Sequence, residues 1–406
     1  MRKIIVSALV WLAHALASVL RIARFALVTI IGISAVCAGG RAGAATYVQT
    51  DLVSDVTGLA TLTDPELKNS WGISFRDGSP FWISDQGSNA ATLYAVTGST
   101  TVSKVNINPP SGFVAIPQGP TGTVGLNANS SFAVSINSGG NGMAANFLFA
   151  NLNGTISAWN TGTTAFVQAT TAGASYTGLA INHDQTRLYA ANGVGTGSIN
   201  VFDNTFAPVN LGANAFIDPN LPTGLVPFNV QDINGKVYVT YAPAGRTAQT
   251  TAALGQGVVS VYDENGAFQQ RLVTGGNLAA PWGIALAPSS FGQFGGDLLV
   301  GNFSFSHSFI SAFDPTTGVL EGMIPIDVGG NDPGGLWALM FGSGGSNGSP
   351  NTLYFTDGIN SEADGLFGAI APTPIPATLP LFATGLGGLG LLGWRRKRKA
   401  QAVLSF

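Results

Sequence analysis

Read along the chain, apolar residues fall in short runs of four to eight, each bounded by Gly, Pro, Asn or Asp. The stretch Pro281–Ile326 states the pattern in full. An apolar run, Pro281-Trp-Gly-Ile-Ala-Leu, gives way to a Gly-rich loop. Gly296-Asp-Leu-Leu-Val-Gly-Asn302 follows, then Phe309-Ile-Ser-Ala-Phe-Asp314. The turn Pro315-Thr-Thr-Gly318 leads into Val319-Leu-Glu-Gly-Met-Ile324. Runs this short, with side chains alternating between two faces and turn residues at both ends, predict four antiparallel strands joined by hairpins.

The unit recurs. Its first-strand marker returns as Trp71-Gly72-Ile73, Thr121-Gly122-Thr123, Thr177-Gly178-Leu179, Phe228-Asn229-Val230, Trp282-Gly283-Ile284 and Gly335-Leu336-Trp337. From Gly72 through Gly122, Gly178, Asn229 and Gly283 to Gly335 the steps are 50, 56, 51, 54 and 52 residues. A third-strand marker ending in Asn or Asp recurs at Thr155–Asn160, Ser198–Asp203, Val258–Asp263 and Phe309–Asp314. Four strands per period near fifty predict an all-β, six-bladed β-propeller over residues 46–371. The sixth unit lacks a fourth strand, and the lone run Tyr47–Val53 is expected to supply it. Closing the ring this way removes two exposed sheet edges and joins the termini without a covalent link.

The two ends read differently. Residues 1–45 have a basic start (Arg2, Lys3), apolar stretches and the small residues Ala42-Gly-Ala44, which predicts an export signal with an N-terminal helix, cut by signal peptidase. Residues 372–376 form a Pro-rich linker, and Ala377–Trp394 follows with eighteen uncharged residues, long enough for one transmembrane helix. The cluster Arg395, Arg396, Lys397, Arg398 and Lys399 opens a basic tail, 395–406, that should stay cytoplasmic.

Composition sharpens the picture. Cys37, the one cysteine of the chain, lies in the signal, so the exported domain has no disulfide, thiol nucleophile or thiolate metal site. All twenty Asp and Glu lie between Asp51 and Asp364, where only seven Lys and Arg remain, giving that domain a formal charge of −13. Such a surface repels phosphate backbones and excludes nucleic acid as a partner.

In propellers the ends of the second strands ring one mouth of the central channel. Asp85, Asn151, Asn192, Tyr241, Asn302 and Asp357 are expected there, with Trp71, Asn229, Trp282 and Trp337 nearby from the first strands. Oxygen ligands from several blades (Asp85, Asn192, Asn302, Asp357) would suit Ca²⁺ or another divalent metal. His183 and His307 lack Ser or Asp partners at catalytic spacing, which argues against a hydrolase triad. Of the four glutamates, Glu66 is a loose channel candidate, while Glu264, Glu321 and Glu362 fall by pattern in turns or outer strands.

The C-terminal combination of Pro374-Ile-Pro376, a short Gly/Leu-rich span and Arg395–Lys399 resembles the PEP-CTERM sorting signal of bacterial surface proteins. Pro-Ile-Pro stands here where Pro-Glu-Pro is usual. The resemblance implies an exosortase-type processing partner and a cell-surface or extracellular address. Thr50–Asp55, Thr63–Ile73 and the repeated Trp-Gly-Ile runs resemble a family of secreted bacterial propellers that carry this tail, and more distantly NHL- and gluconolactonase-type propellers. Two functions follow as expectations. One is a non-enzymatic scaffold binding a ligand, glycan or surface protein through aromatic residues at the mouth. The other is a metal-dependent lactonase- or esterase-like hydrolase, weakened by the apparent lack of a channel Glu.

Overall fold

The computed structural model describes residues 47–107 and 112–373. The expected signal, the sorting motif with Pro374 and Pro376, the apolar span and the basic cluster lie outside the described residues. Among the described residues no helix is long and apolar enough to cross a membrane.

Six antiparallel sheets follow one another in chain order as the blades of a propeller. Their innermost strands are Ser70–Ser74, Pro120–Gly125, Tyr176–Ile181, Leu225–Ile233, Pro281–Leu286 and Leu336–Phe341. The first five carry the marker read from sequence, while in the sixth Gly335 precedes the strand and Ala338 holds the place of the marker's middle residue. The middle residue of that marker explains the repeat. A Cβ on Gly72 would lie 2.6 Å from Thr121 O, one on Gly122 2.3 Å from Leu179 N, and one on Gly283 2.3 Å from Trp337 O. Neighbouring inner strands approach so closely that a side chain has no room. In the fourth blade Asn229 takes this position and donates from Nδ2 to Trp282 O at 2.9 Å, tying two blades together.

The third-strand marker also has a physical cause. Asp203, Asp263 and Asp314 each turn a carboxylate oxygen back onto two backbone N–H groups of the following turn. These are Asx-type turns that end the strand and start the hairpin. The Thr205 hydroxyl, followed by the turn N–H groups, holds the Asp203 carboxyl below the usual range, and the Thr317 and Thr316 N–H groups do the same for Asp314.

The ring closes as expected. Tyr47–Ser54 pairs antiparallel with Leu366–Pro372, with Thr50 opposite Ala369, so the N-terminal strand joins the sixth blade. Its Tyr47 ring stacks on Phe294, and Tyr47 Oη donates to Phe291 O at 2.8 Å and accepts from Phe294 N at 3.0 Å. Three blades depart from the four-strand rule: the sixth has five strands, Leu62–Thr63 pairing parallel with the end of Tyr47–Ser54. Blade 3 has three strands, its fourth replaced by an irregular segment bridged only at Phe202–Pro208. In blade 1, Phe113–Ala115 adds a further strand beside Ala90–Thr97.

Between blades the core is aromatic and aliphatic. Trp82 of blade 1, for example, stacks on Phe147 of blade 2 with centroids 4.2 Å apart. Burial of such faces drives adjacent sheets together.

Candidate functional site at the channel mouth

One cavity of about 400 Å³ opens at the mouth where the inner strands begin, lined among others by Asn69, Trp71, Gln86, Thr177, Arg246 and Glu362. Its floor is built from the first strands. Trp71 and Trp337, from adjacent blades, stack with centroids 3.4 Å apart, and Trp282 meets both edge-on. Phe303 packs on Trp337 at 4.4 Å. Asn69 holds the pair in place: its Oδ1 accepts from Trp71 Nε1 at 3.1 Å and from Trp337 Nε1 at 3.3 Å, while Nδ2 donates to Gln86 at 2.9 Å. Trp282 Nε1 reaches across to Thr177 O at 2.9 Å.

Two loops bring opposite charges over this floor. The hairpin between Lys236–Pro243 and Val258–Asp263 is long enough to hold a short helix, Arg246–Thr250. Arg246 leads that helix. Its Cζ lies 4.1 Å from the Phe303 ring centre, 5.1 Å from Trp337 and 5.3 Å from Trp71, a cation facing three π systems. From blade 6, two blades away in the ring, Glu362 forms an ion pair with Arg246.

The route by which Glu362 arrives is strained. Asn360, Ser361 and Glu362 have φ of 55°, 57° and 69°, three successive non-glycine residues in the left-handed region. Each such residue costs on the order of 1 kcal/mol or more. The turn is held by Glu362 N–H to Gly358 O at 2.8 Å and by Asn360 Nδ2 to Asp364 at 2.8 Å.

The guanidinium head is oddly placed. The Arg246 side chain as a whole is 39% exposed, yet Nη1 and Nη2 are shielded from solvent, Nη2 against Glu362 Oε1 and Nη1 without a hydrogen-bond partner. Burial lowers the Arg246 pKa, opposed by the Glu362 charge, and raises that of Glu362, opposed by Arg246.

The residues expected at the mouth divide into two groups. Trp71, Trp282, Trp337 and Asn229 come together at the inner strands. The three indoles are 3%, 4% and 0% exposed, so they form a packed floor and offer no open stacking face. The second-strand ends are engaged locally. Asp85 Oδ2 accepts from Thr92 N at 3.0 Å and Thr92 Oγ1 at 2.7 Å. Asn151 donates to Thr155 and Ser157, and Tyr241 Oη shares a 2.6 Å bond with Tyr262 Oη. Asn302 accepts from Ala279 N and donates to Asn277 O. Asn192 Oδ1 accepts from Ser175 N and Val194 N, shaping two residues that line the cavity.

Asp357 is fully buried, its Oδ2 taking a long 3.4 Å bond from Ser308 and its Oδ1 no partner. Burial pushes its pKa up to about 7, with the Glu362 charge adding to the rise. Among the described residues no three His, Cys, Asp or Glu side chains stand together as a metal site.

Arg246 and Glu362 do not emerge from the sequence pattern, and the expectation that no glutamate reaches the channel is corrected by Glu362. It does lie in a turn, but that turn overhangs the mouth. The available signal was the spacing between Tyr241 and Val258, too long for a simple hairpin, with one of only seven cations of the domain inside it.

No family model matches the chain. Its sequence is similar to uncharacterized proteins of Acanthamoeba polyphaga mimivirus. One is 28% identical over 350 residues, covering 82% of each chain. Another is 28% identical over 277 residues, covering 65% of this chain and 71% of that protein. Among solved structures it is similar to Kuenenia stuttgartiensis hydrazine synthase (14% identity, TM-score 0.44, 74% of this chain and 80% of that one). It is also similar to a luciferin-regenerating enzyme (13% identity, TM-score 0.46, 80% and 95%). Likenesses this distant transfer no site residue.

Proposed function

We propose that this chain is an exported propeller, anchored or sorted through its C-terminal segment, that binds a small ligand in the channel-mouth cavity. The carrying observation is the Arg246–Glu362 pair set over the Trp71–Trp337–Phe303 floor in a cavity of about 400 Å³. Concave sites of this size, mostly apolar and with a few convergent polar groups, suit small molecules. The buried indoles favour such a ligand over a glycan laid across exposed rings. Export, signal-peptidase cleavage and exosortase-type processing rest on the sequence of residues 1–45 and 372–399.

The metal-dependent hydrolase remains the second reading, because Glu362 supplies a carboxylate at the mouth. Against it, that carboxylate already faces a guanidinium, and Oδ2 of Asp85 and the Oδ1 atoms of Asn192 and Asn302 are committed to their own surroundings. A metal would have to displace Arg246 before it could polarise a substrate carbonyl.

The test is a thermal-shift screen of small polar and aromatic compounds on the purified full-length protein, repeated on Ser175→Trp. Ser175 lines the cavity, and an indole there fills it. Compounds that raise the melting temperature of the wild type and not of Ser175→Trp support the reading. Compounds that stabilise both equally place binding elsewhere and refute it.

A further inference from the structure

We propose that the mouth takes a small aromatic carboxylate, whose carboxylate group pairs with both Nη atoms of Arg246 in place of Glu362. This rests on the reading of the cavity as a ligand site and specifies its chemistry.

Three observations converge on it. A guanidinium carries five N–H donors in a planar fork suited to a two-oxygen acceptor. In Arg246 both Nη atoms are shielded from water; Nη2 meets Glu362 Oε1, while Nη1 makes no hydrogen bond, a costly state for a cation. Glu362 balances the charge but engages only one arm of the fork. A free carboxylate approaching from the cavity can fill both positions, and such bidentate pairs are among the stronger charge-assisted bonds.

The Asn360–Glu362 turn supplies the second argument. Three left-handed non-glycine residues carry Glu362 to Arg246, and the turn is held by its own Glu362 N–Gly358 O and Asn360–Asp364 bonds, so the carboxylate can leave Arg246 with the turn intact. The resident carboxylate is therefore a displaceable stand-in.

The third argument concerns the rest of the ligand. Leu152, Val194 and the edge of Trp71 line the same cavity, and Val194 is 48% exposed at its rim. A flat apolar body covers these while its carboxylate reaches Arg246. Among the described residues Arg246 is the one Lys or Arg lining the cavity, in a domain of strong negative charge. An anion thus has one place to go.

The test compares benzoate with its neutral isostere benzamide by isothermal titration calorimetry on the full-length protein. Benzoate is expected to bind about tenfold more tightly, a difference of about 1.4 kcal/mol. Glu362→Gln, which removes the competitor, should tighten benzoate and leave benzamide unchanged. Arg246→Gln should abolish the preference, and Arg246→Lys, which keeps charge without the fork, should reduce it; circular dichroism checks that both fold.

Equal binding of the two compounds, or a benzoate preference that survives in folded Arg246→Gln, overturns the carboxylate assignment. In that case binding that is lost in Ser175→Trp still supports the mouth as a site. If neither compound binds the wild type or Glu362→Gln, the carboxylate assignment is also overturned. The compound screen then decides the fate of the site alone.

Discussion

Trp71 and Trp337 come from the first and last blades, stack 3.4 Å apart and donate their indole N–H groups to the same oxygen, Oδ1 of Asn69. One short amide thus fixes the floor of the mouth and helps to fasten the seam of the ring. Asn69 has φ of 44°, a conformation its side chain tolerates better than most.

Asn69→Ala leaves two buried indole N–H groups without a partner and places alanine in the left-handed region. At roughly 1–3 kcal/mol per unpaired buried group, the loss is about 2–6 kcal/mol. Urea unfolding followed by tryptophan emission measures it. Stability unchanged from wild type would mean that the indoles find other partners.

The inner ring makes a second demand. Replacing Gly178 with alanine puts a Cβ 2.1 Å from Asn229 Oδ1 and 2.8 Å from Asn229 Cα. The Asn229–Trp282 bond has to yield, and overpacking of this kind costs about 1–3 kcal/mol. Alanine at Gly58, where φ is +83° but nothing lies within 4 Å, separates backbone strain from steric conflict. A larger loss at Gly178 than at Gly58 is expected on thermal denaturation.

These same positions explain what the sequence made legible. Gly72, Gly122, Gly178 and Gly283 recur because inner strands must touch, and Asp203, Asp263 and Asp314 recur because each closes a turn. Both constraints repeat once per blade, so they mark the chain at regular intervals. Tyr47–Ser54 was legible as the missing strand for a related reason, since the last repeat was one strand short. Blade 3 lacks the expected fourth strand because an irregular segment stands there, with Val209 and Leu211 packed against the core and a single bridge, Phe202–Pro208, in place of a ladder. Arg246 and Glu362 sit in hairpin loops of non-adjacent blades. Their meeting depends on the curvature of the whole ring, which no local period encodes.

Closure gives a third prediction. Tyr47→Phe removes one hydroxyl that both donates to Phe291 O and accepts from Phe294 N, while keeping the stack on Phe294. A loss of about 1–2 kcal/mol is expected, and Tyr47→Ala should lose more because the ring contact goes as well. Equal stability of Tyr47→Phe and wild type would show that the strand is held by its backbone ladder alone.

Asp357 predicts a dependence on pH. Its carboxyl titrates near 3.8 when exposed and is pushed up to about 7 by burial in the fold. Between these values the folded chain retains a proton that the unfolded chain has released. Stability from this group is therefore full below about pH 4 and is lost as pH rises through 7, by on the order of 4 kcal/mol. Burial raises the pKa of Asp232 to about 6 and that of Asp85 well upward, which adds to the same trend. Asp357→Asn should raise the melting temperature at pH 8 and flatten its slope between pH 4 and 8. A slope as steep as the wild type would assign the effect to other carboxyls.

Whether the mouth works through its own Arg246–Glu362 pair or through a metal separates the two functional readings, and elemental mass spectrometry decides it. The full-length protein is purified without chelator, and its metal content is compared with that of Glu362→Gln. The account predicts no stoichiometric metal in either, and ligand-induced thermal shifts that persist in EDTA. One equivalent of a divalent metal in the wild type, lost with Glu362→Gln, would contradict it and make the channel a hydrolytic centre.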